Sequence, residues 1–217
     1  MKSIIQIVLW IACIGLGFLI YKSVMGPIEF KKTKEERFGK VISVMKDIGK
    51  SQEAYKSVNG KFAEDFNSLI SFIDTANYTI TQQRDSSFME FNKGYGIDML
   101  KEVKIIDTLG VVSVKDSLFK KDNRYKTMMN VPFAKNGEKF TMKANIVEKT
   151  GGYMAPVFEL KVKKDVVLFD QPKDLVEKEN DEQSVEEING KEIIVGSLTE
   201  VSTNGNWPPI YDRKKKK

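Results

Sequence analysis

The 217-residue sequence contains no histidine and only one cysteine, Cys13, which lies in an apolar run. A chain without histidine lacks the usual general base of serine and cysteine catalysis and the commonest nitrogen ligand of metal ions. A single cysteine cannot form an intramolecular disulfide. A glycine loop of the phosphate-binding type is also missing. We therefore expect a protein that is not an enzyme and has no cofactor, no metal site and no small-molecule substrate.

Positive charge is concentrated rather than spread over the chain. The net charge is +5, and five cations form the C-terminal run Arg213, Lys214, Lys215, Lys216 and Lys217. The rest of the chain is close to neutral, which does not indicate a nucleic-acid-binding surface. The basic tail is interpreted either as a contact to anionic lipid or a partner, or as a solvated chain end.

Long hydrophobic runs are rare, and one dominates the sequence. From Ile4 to Tyr21 the only polar side chain besides Cys13 is Gln6. Roughly twenty apolar residues in a helix span about 30 Å of hydrocarbon. A cleaved signal peptide would be shorter and end in a small-x-small site, which the residues after Leu19 do not offer. Ala12-Cys13 resembles a lipoprotein signal only in part, because the following residues stay apolar. The run predicts an uncleaved membrane anchor over residues 1–30.

A second helical pattern follows the anchor. Gly26-Pro27 predicts a break or kink, because proline lacks an amide donor. Apolar residues then recur at helical spacing, which predicts an amphipathic spine helix over residues 31–60. The turns up to Arg37 are polar and are expected to stand free between membrane and domain. Asn59-Gly60 predicts the end of the helix, and a short helix is expected from about Ala63 to Ile73.

Period-two runs from Tyr78 onward predict a mainly antiparallel β domain over residues 61–212, followed by the basic tail at 213–217. The strongest prediction is a hairpin of Lys139–Val147 and Tyr153–Lys163 around Gly151-Gly152. The other predicted strands are Tyr78–Gln82, Phe88–Phe91, Val103–Asp107, Val111–Lys115, Met128–Phe133, Val166–Phe169 and Ile193–Val201. The acidic segment Gln171–Gly190 is expected to be a solvated helix and loop. The predicted fold class is α+β, with a transmembrane helix, a kink, and a long amphipathic helix packed on an antiparallel sheet.

The passage Lys50–Phe62, with its Gln-x-Ala-Tyr and Asn-Gly-Lys-Phe elements, and the short helix at Asp65–Ile70 resemble type IV pilins and type II secretion pseudopilins. The resemblance implies a membrane-embedded spine, a sheet on its C-terminal half, and an assembly role in the cell envelope. The prepilin cleavage site of that family and its acidic residue early in the mature helix are not present, since no acidic residue precedes Glu29.

Four further passages resemble a membrane-anchored family of Bacteroidota. They are Tyr55–Phe62, Val114–Phe119, Val131–Phe133 and Val195–Glu200. This resemblance implies an anchor and an architecture but no activity.

The side of the membrane is left open by the sequence. Lys2 stands before the anchor and six cations stand between Lys22 and Lys40, so the charge rule favours a cytoplasmic domain. The pilin resemblance favours the inner membrane with a periplasmic domain, which is the preferred prediction.

Two functions remain in view. The first is a pilin-like structural or assembly subunit that packs against envelope proteins or copies of itself, with Gln6, Ala12, Gly15 and Gly17 as candidate membrane-helix packing residues. The alternative is a membrane-tethered binding module that reads a peptide, glycan or partner protein on its β-sheet. Its candidate surface aromatics are Tyr95, Tyr125, Tyr153 and Trp207, although Trp207 is expected mainly to close the edge of the core.

Overall fold

A computed structural model describes residues 2–92, 94–120, 122–149 and 151–212. Its longest element is helix α1, Lys2–Asn59, whose 58 residues extend about 87 Å at 1.5 Å per residue. The helix is long and apolar enough at its N-terminal end to cross a membrane, and none of the most apolar window is buried in the protein.

Helix α1 continues through Pro27 without interruption. The predicted break at Gly26-Pro27 is therefore wrong, and the kink stays a prediction. Proline removes only one backbone hydrogen bond, and the turns on both sides keep theirs. Anchor and spine are one helix.

The second half of α1 buries one stripe of side chains against the rest of the protein. Its buried residues recur every three or four positions: Phe30, Lys34, Phe38, Val41, Ile42, Met45, Ile48, Ser51, Gln52 and Ala54. This is the spacing of one face of an α-helix, so the amphipathic spine is confirmed. The stripe begins at Phe30, and the prediction that the turns up to Arg37 stand free is wrong.

The end of α1 and the next helix follow the local signals in the sequence. Gly60 has a positive φ of 73° and donates its amide to the Lys56 carbonyl at 2.8 Å. The buried Gln52 side chain accepts from and donates to the backbone of Ala63, at 2.8 and 2.9 Å, and so holds the connecting loop. Helix α2, Phe66–Thr75, begins where Asp65 accepts the Ser68 amide at 2.8 Å.

Two very long antiparallel strands come next. β1 spans Asn77–Asn92 and β2 spans Ile97–Ser113, and within the described part of the chain they pair only with each other. A bulge at Leu109 shifts the register beside Ile80 and Thr81. The four short strands predicted here are therefore parts of two long ones. Helix α3, Val114–Phe119, starts at once after β2, so the predicted strand Val111–Lys115 ends early.

A separate three-stranded antiparallel sheet comes next. With the second half of α1 and the short helices it shares one core, and these elements are called the body from here on. The order of the sheet is β3 (Thr141–Lys149), β4 (Tyr153–Lys163) and β5 (Glu192–Gly196). The predicted hairpin is confirmed, with Lys149 opposite Tyr153 and positive φ at both Gly151 and Gly152. The buried side chains Phe158, Leu160 and Val162 of β4 join the cluster that includes the stripe on α1.

Shorter elements replace the remaining predicted strands. Val166–Phe169 is not a strand, because α4 occupies Lys164–Val167. Met128–Phe133 contributes only an isolated bridge between Asn130 and Lys139. Single turns or short helices lie at Arg124–Thr127, Lys173–Asn180 (α5) and Pro209–Tyr211. The α+β class is confirmed.

The division between body and projecting strands can be tested with one substitution made at two sites. Leu160 is fully buried and Leu109 is 63% exposed. Leu160→Ala should lower the free energy of unfolding by about 2–5 kcal/mol, because it leaves a cavity in the core. Leu109→Ala should change it by less than about 0.5 kcal/mol. Denaturant unfolding of the full chain in detergent measures both, and equal effects would contradict the assignment of the core.

Candidate interaction surfaces

The part of β1 and β2 between Thr79 and Val111, called the ribbon from here on, projects away from the body. None of its described side chains is buried. Its base is held where Tyr78 packs against the core and Val114 donates its amide to the Ala76 carbonyl at 3.0 Å. Sixteen residues of β1 correspond to about 53 Å at 3.3 Å per residue. The ribbon is thus longer than the body strands.

The ribbon exposes an unusual number of large apolar side chains. Each of the following is between 44% and 76% accessible: Phe88, Met89, Phe91, Tyr95, Ile97, Met99, Leu100, Ile106, Leu109 and Val111. Scattered apolar residues are normal on a surface, but a contiguous set marks a site of protein or membrane interaction. We therefore treat the ribbon as the main candidate surface.

Both faces of the ribbon take part. Met89 lies opposite Leu100, and two residues further along Phe91 shares their face. Phe88 lies on the other face, as do Met99 and Ile97. A two-stranded ribbon with apolar residues on both faces cannot bury either face on itself.

The second candidate surface is the outer edge of the sheet in the body. Along β3, Thr141–Lys149, the described residues show no backbone partner on the side away from β4. Near the end of this hairpin Ile146 is 49% exposed, and Tyr153 and Met154 are more than half exposed. Such an edge can accept an added strand.

The four aromatic residues suggested from the sequence fall into two groups. Tyr95 and Tyr153 are 76% and 68% exposed, at the tips of the two hairpins. Tyr125 is fully buried, and its hydroxyl donates to the Asp74 carboxylate, which raises the pKa of Tyr125. Trp207 packs partly buried against the core and donates its indole Nε1 to Asp212 at 3.1 Å, as expected for a residue at the core edge.

The candidate packing residues Gln6, Ala12, Gly15 and Gly17 all lie on the exposed part of α1. A Cβ added at Gly15 or Gly17 would meet nothing within 4 Å, so neither glycine is needed for packing within the chain. Residues two apart are about 200° apart around a helix, so Gly15 and Gly17 face different directions. Their role in packing against another helix stays a prediction. The basic residues 213–217 lie outside the described residues.

A buried ionic cluster, absent from the sequence predictions, lies just beyond the apolar part of α1. Lys34 Nζ donates to Glu179 Oε2 at 2.8 Å and to Glu187 Oε2 at 2.7 Å. Lys164 Nζ reaches Glu179 Oε1 at 2.9 Å and also the carbonyls of Glu179 and Ile188. Lys34, Lys164 and Glu179 are each under 10% exposed, and two cations balance two carboxylates. We call this group the Lys34 cluster.

The electrostatics of the Lys34 cluster favour the charged forms. Burial alone would lower the pKa of Lys34, but its hydrogen bonds and attraction to Glu179 and Glu187 outweigh that effect and leave the pKa above its ordinary value. Beside the cluster, Arg37 binds Asp170 through both carboxylate oxygens, at 2.6 and 2.8 Å. This guanidinium lowers the pKa of Asp170 to about 2. The acidic segment expected to be solvated is thus tied to α1.

The described residues suggest little chemistry. They contain no group of three or more His, Cys, Asp or Glu side chains placed to hold a metal ion. Ser43 and Lys46 have the Ser-x-x-Lys spacing that is found in some enzymes with a serine nucleophile. The Lys46 ammonium is instead bound to Asp212 Oδ1 at 2.6 Å and to the Tyr211 carbonyl at 2.7 Å, and Ser43 lies on the exposed side of α1. The geometry therefore directs attention to surfaces.

The fold defines an α+β chain with one helix long and apolar enough to cross a membrane. No family model, curated protein or solved structure matches it. The likeness to pilins and pseudopilins, and to a family of Bacteroidota, therefore stays a prediction from the sequence passages.

The Lys34 cluster can be tested by removing the carboxylate that both lysines share. Glu179→Gln should lower the free energy of unfolding by about 3–5 kcal/mol, because it leaves buried positive charge uncompensated. Glu36→Gln is the matched control: it removes the exposed Glu36–Lys40 pair, 58% accessible on both sides, and should cost less than about 0.5 kcal/mol.

The pH dependence gives a further check on the cluster. Because the pKa of Lys34 is raised on folding from a reference value of 10.5, its contribution to stability is complete below pH 10.5 and is lost as pH rises through the folded pKa. The loss of folding stability at alkaline pH should therefore be smaller in a Lys34→Met variant than in the unaltered chain. Unchanged alkaline unfolding in that variant, or equal effects of the two glutamine substitutions, would show that the cluster does not hold the acidic segment.

Proposed function

We propose that this protein is a membrane-anchored structural or assembly subunit of an envelope complex, and that it binds other proteins through its ribbon. The observation that carries the proposal is the ribbon itself, about 50 Å of paired strand with exposed apolar side chains on both faces. A ribbon of this kind contributes little to the stability of the body to which it is attached. Its apolar surface is stabilised only when a partner covers it.

The rest of the molecule supports the same role. Helix α1 runs from the apolar segment into the body without a break, and the Lys34 cluster ties the acidic segment to it about 9 Å beyond Ile28. The body that carries the ribbon is therefore joined to the anchor by one continuous helix. This is a property of a scaffold subunit.

The pilin-like resemblance extends the proposal to location and partners. In that reading the chain is a single-pass protein of the inner membrane with a periplasmic body. Its partners are envelope proteins or further copies, with membrane-helix packing at Ala12, Gly15 and Gly17. The flanking lysines favour the opposite orientation. In that orientation the basic tail at 213–217 would contact anionic lipid.

The alternative function is a membrane-tethered binding module that reads a peptide, glycan or partner protein on its sheet. The open outer edge of β3 favours it, since an extended peptide could add there as a fourth strand. This alternative predicts that binding depends on β3 and not on the ribbon.

Shortening the ribbon tests the proposed function directly. Arg84 and Ile105 are cross-strand partners, so Asp85–Lys104 can be replaced by Asn-Gly, which closes a two-residue hairpin. The shortened chain should keep the stability of its body, because the ribbon buries none of its described side chains there. It should lose the protein complexes that the full chain forms in membranes.

Chemical crosslinking in membranes, followed by separation of the solubilised complexes, measures that loss. The matched control replaces exposed Ile146 and Tyr153 at the β3–β4 hairpin with Ser. Loss of complexes in the control alone would favour the binding module. Complexes that persist unchanged in the shortened chain would contradict the proposed function.

The orientation has its own test. With Cys13 changed to Ala, a single Asn136→Cys thiol in the exposed loop before β3 reports the side of the body. In cells with an opened outer membrane, an impermeant thiol reagent should label it without lysis of the inner membrane. Labelling that requires lysis would place the body in the cytoplasm and leave the pilin-like location without support.

A further inference from the structure

The outer edge of β2 is the part of the ribbon with the most specific chemistry. β2 pairs with β1 on one side, and among the described residues no strand pairs with its other side. An unpaired edge presents a row of amide and carbonyl groups that another strand can use. The residues along this edge determine which strand can pair with it.

A copy of β2 itself can pair here only in certain registers. Backbone groups alternate in direction along a strand, so two opposed residues must both turn theirs toward the interface. When a strand pairs with an antiparallel copy of itself, one residue must therefore lie opposite its own copy. The two-fold axis passes between these two copies and not between two successive residues of the strand. The axis then runs normal to the ribbon, so side chains of one face in one copy continue on the same face of the other.

On the face of β2 that carries the even-numbered residues, the sequence around Val103 is complementary to its own reverse. With the axis at Val103, Glu102 lies opposite the Lys104 of the second copy, and the pair occurs twice. On the same face, Leu100 lies opposite Ile106, also twice, and these side chains are 62% and 64% exposed in the single chain. Opposite charges and apolar pairs directly across strands both stabilise antiparallel pairing.

The neighbouring registers are disfavoured by the same residues. An axis at residue 102 brings Glu102 against its own copy, and an axis at residue 104 brings Lys104 against its own copy. Like charges directly opposite each other destabilise a sheet. The charge pattern therefore distinguishes one register from those beside it.

We propose that a second copy of this chain binds the outer edge of β2 in antiparallel orientation, with the two-fold axis at Val103, so that two ribbons form one four-stranded sheet. The proposal rests on the assembly function above and names the partner of the ribbon. Pairing from Asp98 to Thr108 adds about ten backbone hydrogen bonds, because alternate residues exchange two each.

The spacing along β2 leaves room for the bodies of two chains paired in this way. The base of each ribbon at Ser113 lies ten residues from Val103, about 33 Å at 3.3 Å per residue. The two bases are thus about 66 Å apart on opposite sides of the axis, so the bodies do not collide. Both anchors lie in one bilayer when the axis is parallel to the membrane normal. Confinement of the anchors then raises the effective concentration of the edges.

Charge reversal tests the register. Full-length Glu102→Lys places lysine against Lys104 at both symmetric pairs, and Lys104→Glu places glutamate against Glu102. Each variant alone should weaken self-association in detergent by about tenfold, measured by analytical ultracentrifugation. An equimolar mixture of the two should associate about as well as the unaltered chain, since every pair in the mixed dimer is again of opposite sign. Damage to the fold would not be repaired by mixing.

Thiol crosslinking in membranes tests the position of the axis. In a Cys13→Ala background, Val103→Cys should give a covalent dimer with a short bismaleimide, because the two thiols face each other. Asp98→Cys should give none, since the two copies of residue 98 lie about 33 Å apart. The pair of substitutions Asp98→Cys and Thr108→Cys in one chain should restore the dimer.

Two results would overturn the proposal: no covalent dimer from Val103→Cys, or a mixture of charge variants that associates no better than either alone. If that happened while the shortened ribbon still lost its complexes, the ribbon would bind a different protein and the assembly function would stand. If shortening the ribbon changed nothing, the assembly function itself would fail.

Discussion

The stripe of buried side chains on α1 from Phe30 to Ala54 is the constraint on which the rest of the structure depends. The described side chains of the same helix are all exposed before Met25, and one side of the helix is buried from Phe30 onward. One helix therefore carries two kinds of surface, an exposed apolar one long enough to cross a membrane along its first half and a core-facing stripe along its second. Because no break separates the halves, the apolar segment and the buried stripe belong to one continuous helix.

The Lys34 cluster continues that constraint into the least apolar part of the chain. The acidic segment that ends near Gly190 has few apolar side chains to bury, yet it covers the first turns of the stripe. Glu179 makes this possible by accepting from two lysines that approach from distant parts of the sequence. A buried ion pair contributes little net stability but penalises arrangements that separate its members. The cluster therefore fixes position more than it adds stability.

Local chemistry was enough to predict the elements whose signals lie within a few residues. Asn59-Gly60, the Asp65 cap and the Gly151-Gly152 hairpin are of this kind. The burial of Lys34 could not be predicted, because its partner Glu179 is 145 residues away. The ribbon was predicted only in pieces for a different reason. A strand exposed on both faces need not alternate apolar and polar residues. The polar stretch Arg84–Ser87 of β1 is therefore predicted as a turn from the sequence.

Strand edges are treated in different ways within this one chain: the edge of β5 is covered, whereas the edges of β2 and β3 are open among the described residues. The outer edge of β5 is covered by the loop at Asn204–Asn206, where the Asn206 amide group binds both Ile194 and Glu192. The edge of β2 has no such cover among the described residues. It carries Glu102 and Lys104 instead, and charges on an edge oppose indiscriminate strand pairing. They disfavour any partner strand that places a like charge directly opposite either residue. An edge protected in this way excludes most strands while remaining able to bind one.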